Sequence, residues 1–221
     1  MRAIASWSGG KDSCLAYYKA ISQGVQVSYL LNMINKDASK SMSHGLDPKL
    51  IALQAKAMGV PIIQRETTWE TYEAEFKEAI GELKQKGVNA GVFGDIDLQE
   101  HREWVERVCG ELGIKPILPL WGLEPERILR DFVGLGFEAI VVCTKGDLMG
   151  KEWLGEKIDT ETVDRLLRVG NIHPCGESGE YHTFVINGPI FSQCLQIVDT
   201  KLVQRKGYWF LDILRCKLGQ K

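Results

Sequence analysis

An apolar run, Ala3-Ile4-Ala5, leads into Ser8-Gly9-Gly10-Lys11-Asp12-Ser13, and Cys14-Leu15-Ala16-Tyr17-Tyr18 then reads as the start of a helix. A strand, a glycine-rich turn and a helix N-terminus in that order make an anion site. The first N–H groups of a helix have no intrahelical partner, and the helix dipole favours negative charge beside them. Gly9 and Gly10 carry no Cβ, so the backbone can approach a phosphate closely. Ser8 and Ser13 supply hydroxyl donors, Lys11 a cation, and Asp12 a ligand for a magnesium ion that neutralises a polyphosphate. The spacing is not that of the Walker loop G-x-x-x-x-G-K-[ST].

The first half of the 221 residues alternates strand and helix signals. Val25–Ile34 is almost wholly apolar and reads as a buried parallel strand. Asp47-Pro48 opens a helix with a cap and an N1 proline, and Gly59 stops it. Trp69, Tyr72, Phe76, Ile80 and Leu83 recur at helical spacing. Val88–Phe93 and Ile117-Leu118 continue the strand series, with a helix through Val105, Val108, Cys109 and Leu112 between them. Repeated βα units predict an α/β fold: a Rossmann-like parallel sheet with helices on both faces. The second half is less regular. It predicts helices after Pro125 and Asp159, strands at Phe137–Val142 and Thr183–Ile186, and a terminal hairpin turning at Lys206-Gly207. The expected boundary lies near Gly122, giving a nucleotide-binding domain over 1–122 and a smaller α+β domain over 123–221.

Composition limits the partners. A net charge of −2 is not the basic footprint of a general nucleic-acid binder. No run approaches the roughly 20 apolar residues of a membrane span, and no leader precedes the first strand, so a cytoplasmic location is expected. The six cysteines form no C-x-x-C pair, which argues against a zinc ribbon or an iron–sulfur site.

In a parallel sheet, ligands sit beyond the carboxyl ends of the strands. The loops there contain Ser41, Ser43 and His44; Asp95, Asp97 and His101; and Trp121. Asp97, three residues before Glu100, reads as a helix cap; Asp95 reads equally as a ligand contact or a turn residue. A second rich segment runs from His173 to Thr183 and holds two histidines, two carboxylates, a thiol and two hydroxyls between glycines. Glu177 and Glu180 suit an ammonium-bearing substrate or ammonia, and His182 suits a general base.

The S-G-G-x-D-S loop resembles that of the PP-loop ATP pyrophosphatases. Together with Cys175-Gly176-Glu177-Ser178-Gly179-Glu180-Tyr181-His182-Thr183, Gly94-Asp95, Pro119-Leu120-Trp121-Gly122 and Trp153-Leu154-Gly155, the chain resembles the diphthine–ammonia ligase family over nearly its whole length. His182 stands where the family tends to have an acidic residue, and in this the chain is similar to paralogues found widely in bacteria. The resemblance implies a HUP-type nucleotide domain, ATP with Mg2+, and an ATP-dependent carbon–nitrogen ligase that adenylates a carboxylate, releases pyrophosphate and adds ammonia. The implied acceptor is diphthine on elongation factor 2, and a homodimer is an open option. It implies nucleotide contacts at Ser8, Gly9, Gly10, Lys11, Asp12 and Ser13, with metal at Asp12. With the strand-end loops, this gives candidate substrate contacts at His44, Asp95, His101, Trp121, Glu177, Glu180, Tyr181 and Thr183, with a structural role left open for His44, Asp95 and His101, and candidate catalytic roles for Lys11, Asp12, Glu177, Glu180 and His182. Two alternatives stay open: transfer of sulfur or nitrogen to an RNA base or another small acceptor by the same PP-loop chemistry, and a non-catalytic nucleotide-binding module.

Overall fold

The structure, a computed structural model, describes residues 1–36, 40–41 and 45–221. His44 and Ser43 therefore lie outside the described residues. The first half is a doubly wound sheet. Strands β1 (Arg2–Ser6), β2 (Gln26–Asn35), β4 (Ile62–Thr67), β5 (Ala90–Val92) and β6 (Lys115–Ile117) run parallel in the order β4-β2-β1-β5-β6. A two-residue strand, β3 (Lys40–Ser41), pairs antiparallel with the end of β2.

Helices α1 (Lys11–Ser22) and α2 (Pro48–Met58) cover one face of the sheet, and α3 (Tyr72–Lys84) and α4 (Gln99–Leu112) the other. The apolar faces explain this sandwich: Cys14, Leu15, Leu50 and Ile51 pack on one side, and Phe76, Ile80, Leu83, Val105 and Val108 on the other. The predicted ends of α2 hold. Asp47 Oδ1 accepts the Lys49 N–H at 2.8 Å, and Gly59 closes the helix in the left-handed conformation, φ 70°.

Two local expectations fail. Trp69 lies before α3 rather than on its apolar stripe and is 72% exposed. Asp97 does not cap α4: Leu98 is the N-cap residue, without a side-chain bond, and the Asp97 carboxylate is taken by His173. A tertiary partner has outcompeted the local cap.

The second half forms an antiparallel sheet, in the order β8-β7-β10-β9, from β7 (Glu138–Lys145), β8 (Tyr181–Asn187), β9 (Cys194–Arg205) and β10 (Tyr208–Gly219), with α5 (Pro125–Gly134) and α6 (Thr160–Arg168). The β9–β10 turn places Lys206 and Gly207 at φ 48° and 82°, the positive values of a two-residue hairpin turn. The α1–α2 core continues without a break into residues of α5, α6, β7 and β8. Among the described residues no helix is long and apolar enough to cross a membrane.

Candidate active site

The turn between β1 and α1 is shaped by its glycines. Gly9 has φ 81°, and a Cβ there would sit 2.6 Å from Ile51 Cδ1 and 2.9 Å from Gln54 Oε1. Its carbonyl accepts two N–H groups, from Val185 at 3.0 Å and from the Gln54 side chain at 3.0 Å. Gln54 is fully buried. Its amide nitrogen also donates to the Val185 carbonyl at 2.7 Å, and its oxygen accepts the Trp7 indole N–H at 2.8 Å. One side chain thus holds the loop, the first strand's exit and β8 in register. Sequence reading missed Gln54; the available signal was a polar residue on the stripe formed by Leu50, Ile51 and Ala55.

The N-cap position of α1 is Gly10, which offers no side-chain cap. The Lys11 N–H is instead satisfied by Thr183 Oγ1 at 3.0 Å, from β8. Ser13 Oγ donates to the Gly10 carbonyl and accepts from Ser8 Oγ at 3.2 Å, and Ser8 Oγ accepts the Gly10 N–H at 3.3 Å.

The Lys11 side chain is turned inward, 3% exposed. Its ammonium pairs with Asp12 Oδ2 at 2.9 Å, donates to the Cys175 carbonyl and lies 5.0 Å from the centre of the Tyr181 ring. Burial opposes this charge, but the neighbouring Asp12 carboxylate and the Tyr181 ring together hold the Lys11 pKa above its ordinary value. The other oxygen of Asp12, Oδ1, is buried and has no hydrogen-bond partner among the described residues. An unpartnered carboxylate oxygen beside a helix N-terminus fits a cation bridging to phosphate.

The segment from 173 to 183 is laid across this loop. His173 organises it, although it was not among the expected site residues. Its Nδ1 accepts the N–H groups of Cys175 at 3.2 Å and Glu177 at 3.4 Å. Nε2 therefore carries the proton and donates to Asp97 Oδ2 at 3.0 Å. Glu180, 5% exposed, accepts the His173 N–H at 2.7 Å with Oε1, while Oε2 has no partner among the described residues. Tyr181 donates its hydroxyl to the Pro174 carbonyl at 2.6 Å. Gly176 is required here, since a Cβ would come within 2.6 Å of the Tyr181 carbonyl and φ is 71°.

Glu177 reaches back to the first half and accepts the Ile96 N–H at 3.0 Å. Burial pushes its carboxyl up to about 7, helped by the Asp12 and Asp95 carboxylates and opposed by the Ile96 bond. Its donor atoms, with those of Asp95 and His101, lie within 4.8 Å of one another. His101 Nδ1 is 3.1 Å from Asp95 Oδ1, and that bond holds the imidazole pKa above its usual value against burial.

The structure thus brings Lys11, Asp12, Asp95, His101, Glu177, Glu180, Tyr181 and Thr183 to one region. Trp121 packs instead against Arg102, its ring 5.1 Å from the guanidinium. His182 is placed differently. Tyr181 and Thr183 both face α1, and strand alternation directs the residue between them to the opposite side of the sheet.

A doubly wound sheet with a glycine turn after its first strand, and a buried lysine paired there with a partly exposed aspartate, defines a nucleotide-binding α/β protein of the PP-loop kind. The chain belongs to the diphthamide synthase family. Residues 1–116 match the model of the diphthamide synthase N-terminal domain and residues 124–218 that of its C-terminal domain. The chain is 30% identical to the diphthine–ammonia ligase of Rattus norvegicus over 90% of this chain and 84% of that one, and 30% identical to the human protein of that name over 92% and 85%. It is 28% identical to the Schizosaccharomyces pombe diphthine–ammonia ligase over 92% of its own length but spans only 37% of that protein.

Proposed function

We propose that this chain is an ATP-dependent carbon–nitrogen ligase that activates a substrate carboxylate and amidates it with ammonia, and that its acceptor is diphthine on elongation factor 2. The observation that carries this reading is the juxtaposition of the phosphate loop with Glu177. A helix N-terminus whose own cap residue, Gly10, has no side chain, and which bears the orphaned Asp12 oxygen, meets from the second half of the chain a carboxyl whose pKa lies near neutrality.

The loop over Ser8, Gly9, Gly10 and Ser13 receives the polyphosphate, and the buried Lys11 holds Asp12 in place. Asp12 would hold a magnesium ion, which neutralises phosphate charge when bound. The acceptor carboxylate attacks the α-phosphorus, the α–β phosphoanhydride bond breaks and pyrophosphate leaves. Ammonia then attacks the activated carbonyl carbon and AMP departs. The nitrogen must lose a proton in that step. Glu177 suits this task because a base works best when its pKa lies near the working pH. We read residues 1–122 as the nucleotide half and 123–221 as the acceptor half, with Glu177, Glu180, Tyr181 and Thr183 serving the acceptor. The buried thiols argue for amidation over sulfur transfer: burial pushes Cys143 and Cys175 up to about 12, far from thiolate at neutral pH.

The purified chain with MgATP, ammonium and elongation factor 2 carrying diphthine is expected to form AMP and pyrophosphate in step with the amide, in the cytoplasmic setting of translation. Asp12→Ala should abolish pyrophosphate release while the circular dichroism spectrum is kept. Pyrophosphate formed with another carboxylate but never with diphthine would keep the chemistry and overturn the acceptor.

A further inference from the structure

We propose that the cavity between α3 and α4 is an aromatic cage for a methylated, permanently charged ammonium group carried by the acceptor. The cavity encloses about 610 Å³ and opens at the carboxyl ends of β1, β4 and β5. Trp69, Tyr72, Phe93 and Trp104 line it. Their rings stand at angles to one another: Tyr72 meets Trp104 at 57° with centroids 5.8 Å apart, and Trp69 extends the Tyr72 wall at 6.2 Å and 26°. The Trp104 indole is fixed by its N–H bond to Glu73 Oε2 at 2.9 Å. Trp69 is the most exposed large apolar side chain among the described residues, and no packing requirement of the fold explains it.

Charge selects the ligand class. Glu70, Glu73 and Asp95 line the cavity together with the aromatics and His101, and among the described residues no lysine or arginine does. Glu73 is paired with Lys77 and Arg107, and Asp95 with His101. Glu70 has no ion-pair partner among the described residues. Ring faces with carboxylates behind them repel a phosphate and attract a cation. A methylated ammonium is favoured over a primary one, because it has few or no N–H groups that would need acceptors and its charge is spread over methyl groups that pack on ring faces.

Position connects the cavity to the chemistry. Ser6 ends β1 two residues before Ser8, and Asp95 lies beside Glu177. A cation seated among the rings directs the rest of its molecule, including the carboxylate to be activated, toward Asp12 and Glu177. The assignment rests on the ligase reading only for the identity of that molecule; the cage itself is tested without turnover.

The probes are tetramethylammonium and choline, with 3,3-dimethyl-1-butanol as the uncharged analogue of choline, observed by saturation-transfer NMR on the full chain with and without saturating MgATP. Saturable binding of both cations is expected, at least about fivefold tighter than that of the neutral alcohol. Trp69→Ala, at an exposed position that leaves folding intact, should weaken it about fivefold or more, and Glu70→Lys should do at least as much. ATP should not displace the cations. Equal binding of the neutral alcohol, or no binding of either cation, would overturn the cage. Displacement by AMP as well as by ATP would make the cavity a nucleotide-base site instead. If the cations bind as expected but diphthine supports no pyrophosphate release, the cage stands and the acceptor assignment fails.

Discussion

The backbone N–H of Lys11 donates to the side-chain oxygen of Thr183, 3.0 Å away and 172 positions later in the chain. The bond is buried and does the work of a helix cap, because Gly10 has no side chain to do it. The glycine turn between β1 and α1 is therefore completed by the second half of the molecule. Gln54 makes the same connection through Gly9 and Val185, and Lys11 through the Cys175 carbonyl.

Thr183→Val removes the acceptor while keeping the shape, leaving a buried N–H without a partner. That should cost about 1–3 kcal/mol of stability. Thr183→Ser should restore most of it. The urea midpoint measures the first effect and pyrophosphate release the second. Wild-type values for the valine variant in both would show that the two halves are coupled elsewhere.

Glu177 gives the protein a dependence on pH with a definite sign. In the unfolded chain its carboxyl releases a proton near the ordinary 4.5; burial in the fold raises that to about 7. Between these values the folded state holds more protons than the unfolded state. Stability is thus fully present below about 4.5 and is lost as the pH rises through about 7. His101, raised chiefly by its bond to Asp95, acts in the same direction: its contribution is present below its ordinary 6.5 and lost as the pH rises through its folded value. Urea midpoints of wild type and Glu177→Gln, followed from about pH 5 to about pH 8, should diverge, with wild type falling relative to the variant. Parallel curves would place Glu177 in a more solvated setting. The rate of amide formation should rise through the same region in wild type and lose that limb in the variant.

Much of this architecture was legible in the chain. The βα rhythm fixes the sheet because buried parallel strands are continuous apolar runs, and Asp47-Pro48 with Gly59 marks α2 by local chemistry alone. Ser8 to Ser13 and Cys175 to Thr183 stand out because glycines and reactive side chains are concentrated there. What sequence could not show is which polar group meets which. Asp97 has every local reason to cap α4, yet His173 takes it from 76 residues away. Lys11 reads as a cation for phosphate, yet its ammonium is buried against Asp12 and Cys175. Glu177 and Glu180 look alike in sequence. One is raised to near neutrality beside Asp12 and Asp95, and the other is spent on the His173 backbone. These pairings depend on long-range closure of two sheets, which no periodicity encodes.

The cysteines should be dispensable for turnover. Cys14, Cys109, Cys143 and Cys175 are buried, and burial raises the thiol of each, that of Cys109 to about 11. Cys194 and Cys216 are partly accessible. Alkylation of the native protein near pH 8 should label those two first and leave ATP-dependent pyrophosphate release unchanged, because the reacting species is the thiolate. Cys175→Ser, whose thiol lies 3.5 Å from the Pro125 carbonyl, should also remain active. Loss of product with ATP binding kept would bring a thiol mechanism forward.

Gly94 tests whether the loop after β5 must lie tight against the start of α1. A Cβ at this position would stand 3.0 Å from the Asp12 carbonyl carbon, 3.0 Å from the Ser13 nitrogen and 3.2 Å from the Asp12 oxygen. All three are backbone atoms in the first turn of α1, so they cannot swing aside as the tip of a side chain would. Gly94→Ala should push the loop outward by a few tenths of an ångström and strain the 3.0 Å bond from the Ile96 N–H to Glu177. Crowding of this kind costs about 1–3 kcal/mol, which leaves most domains folded. Reaction geometry is less forgiving. A misplacement near 1 Å can cost about a hundredfold in rate, so a smaller shift should lower amide formation by about tenfold. The melting temperature and the rate of AMP formation separate the two effects. A variant that melts several degrees lower but turns over at the wild-type rate would show that Glu177 and Asp12 need not be held in register for the reaction.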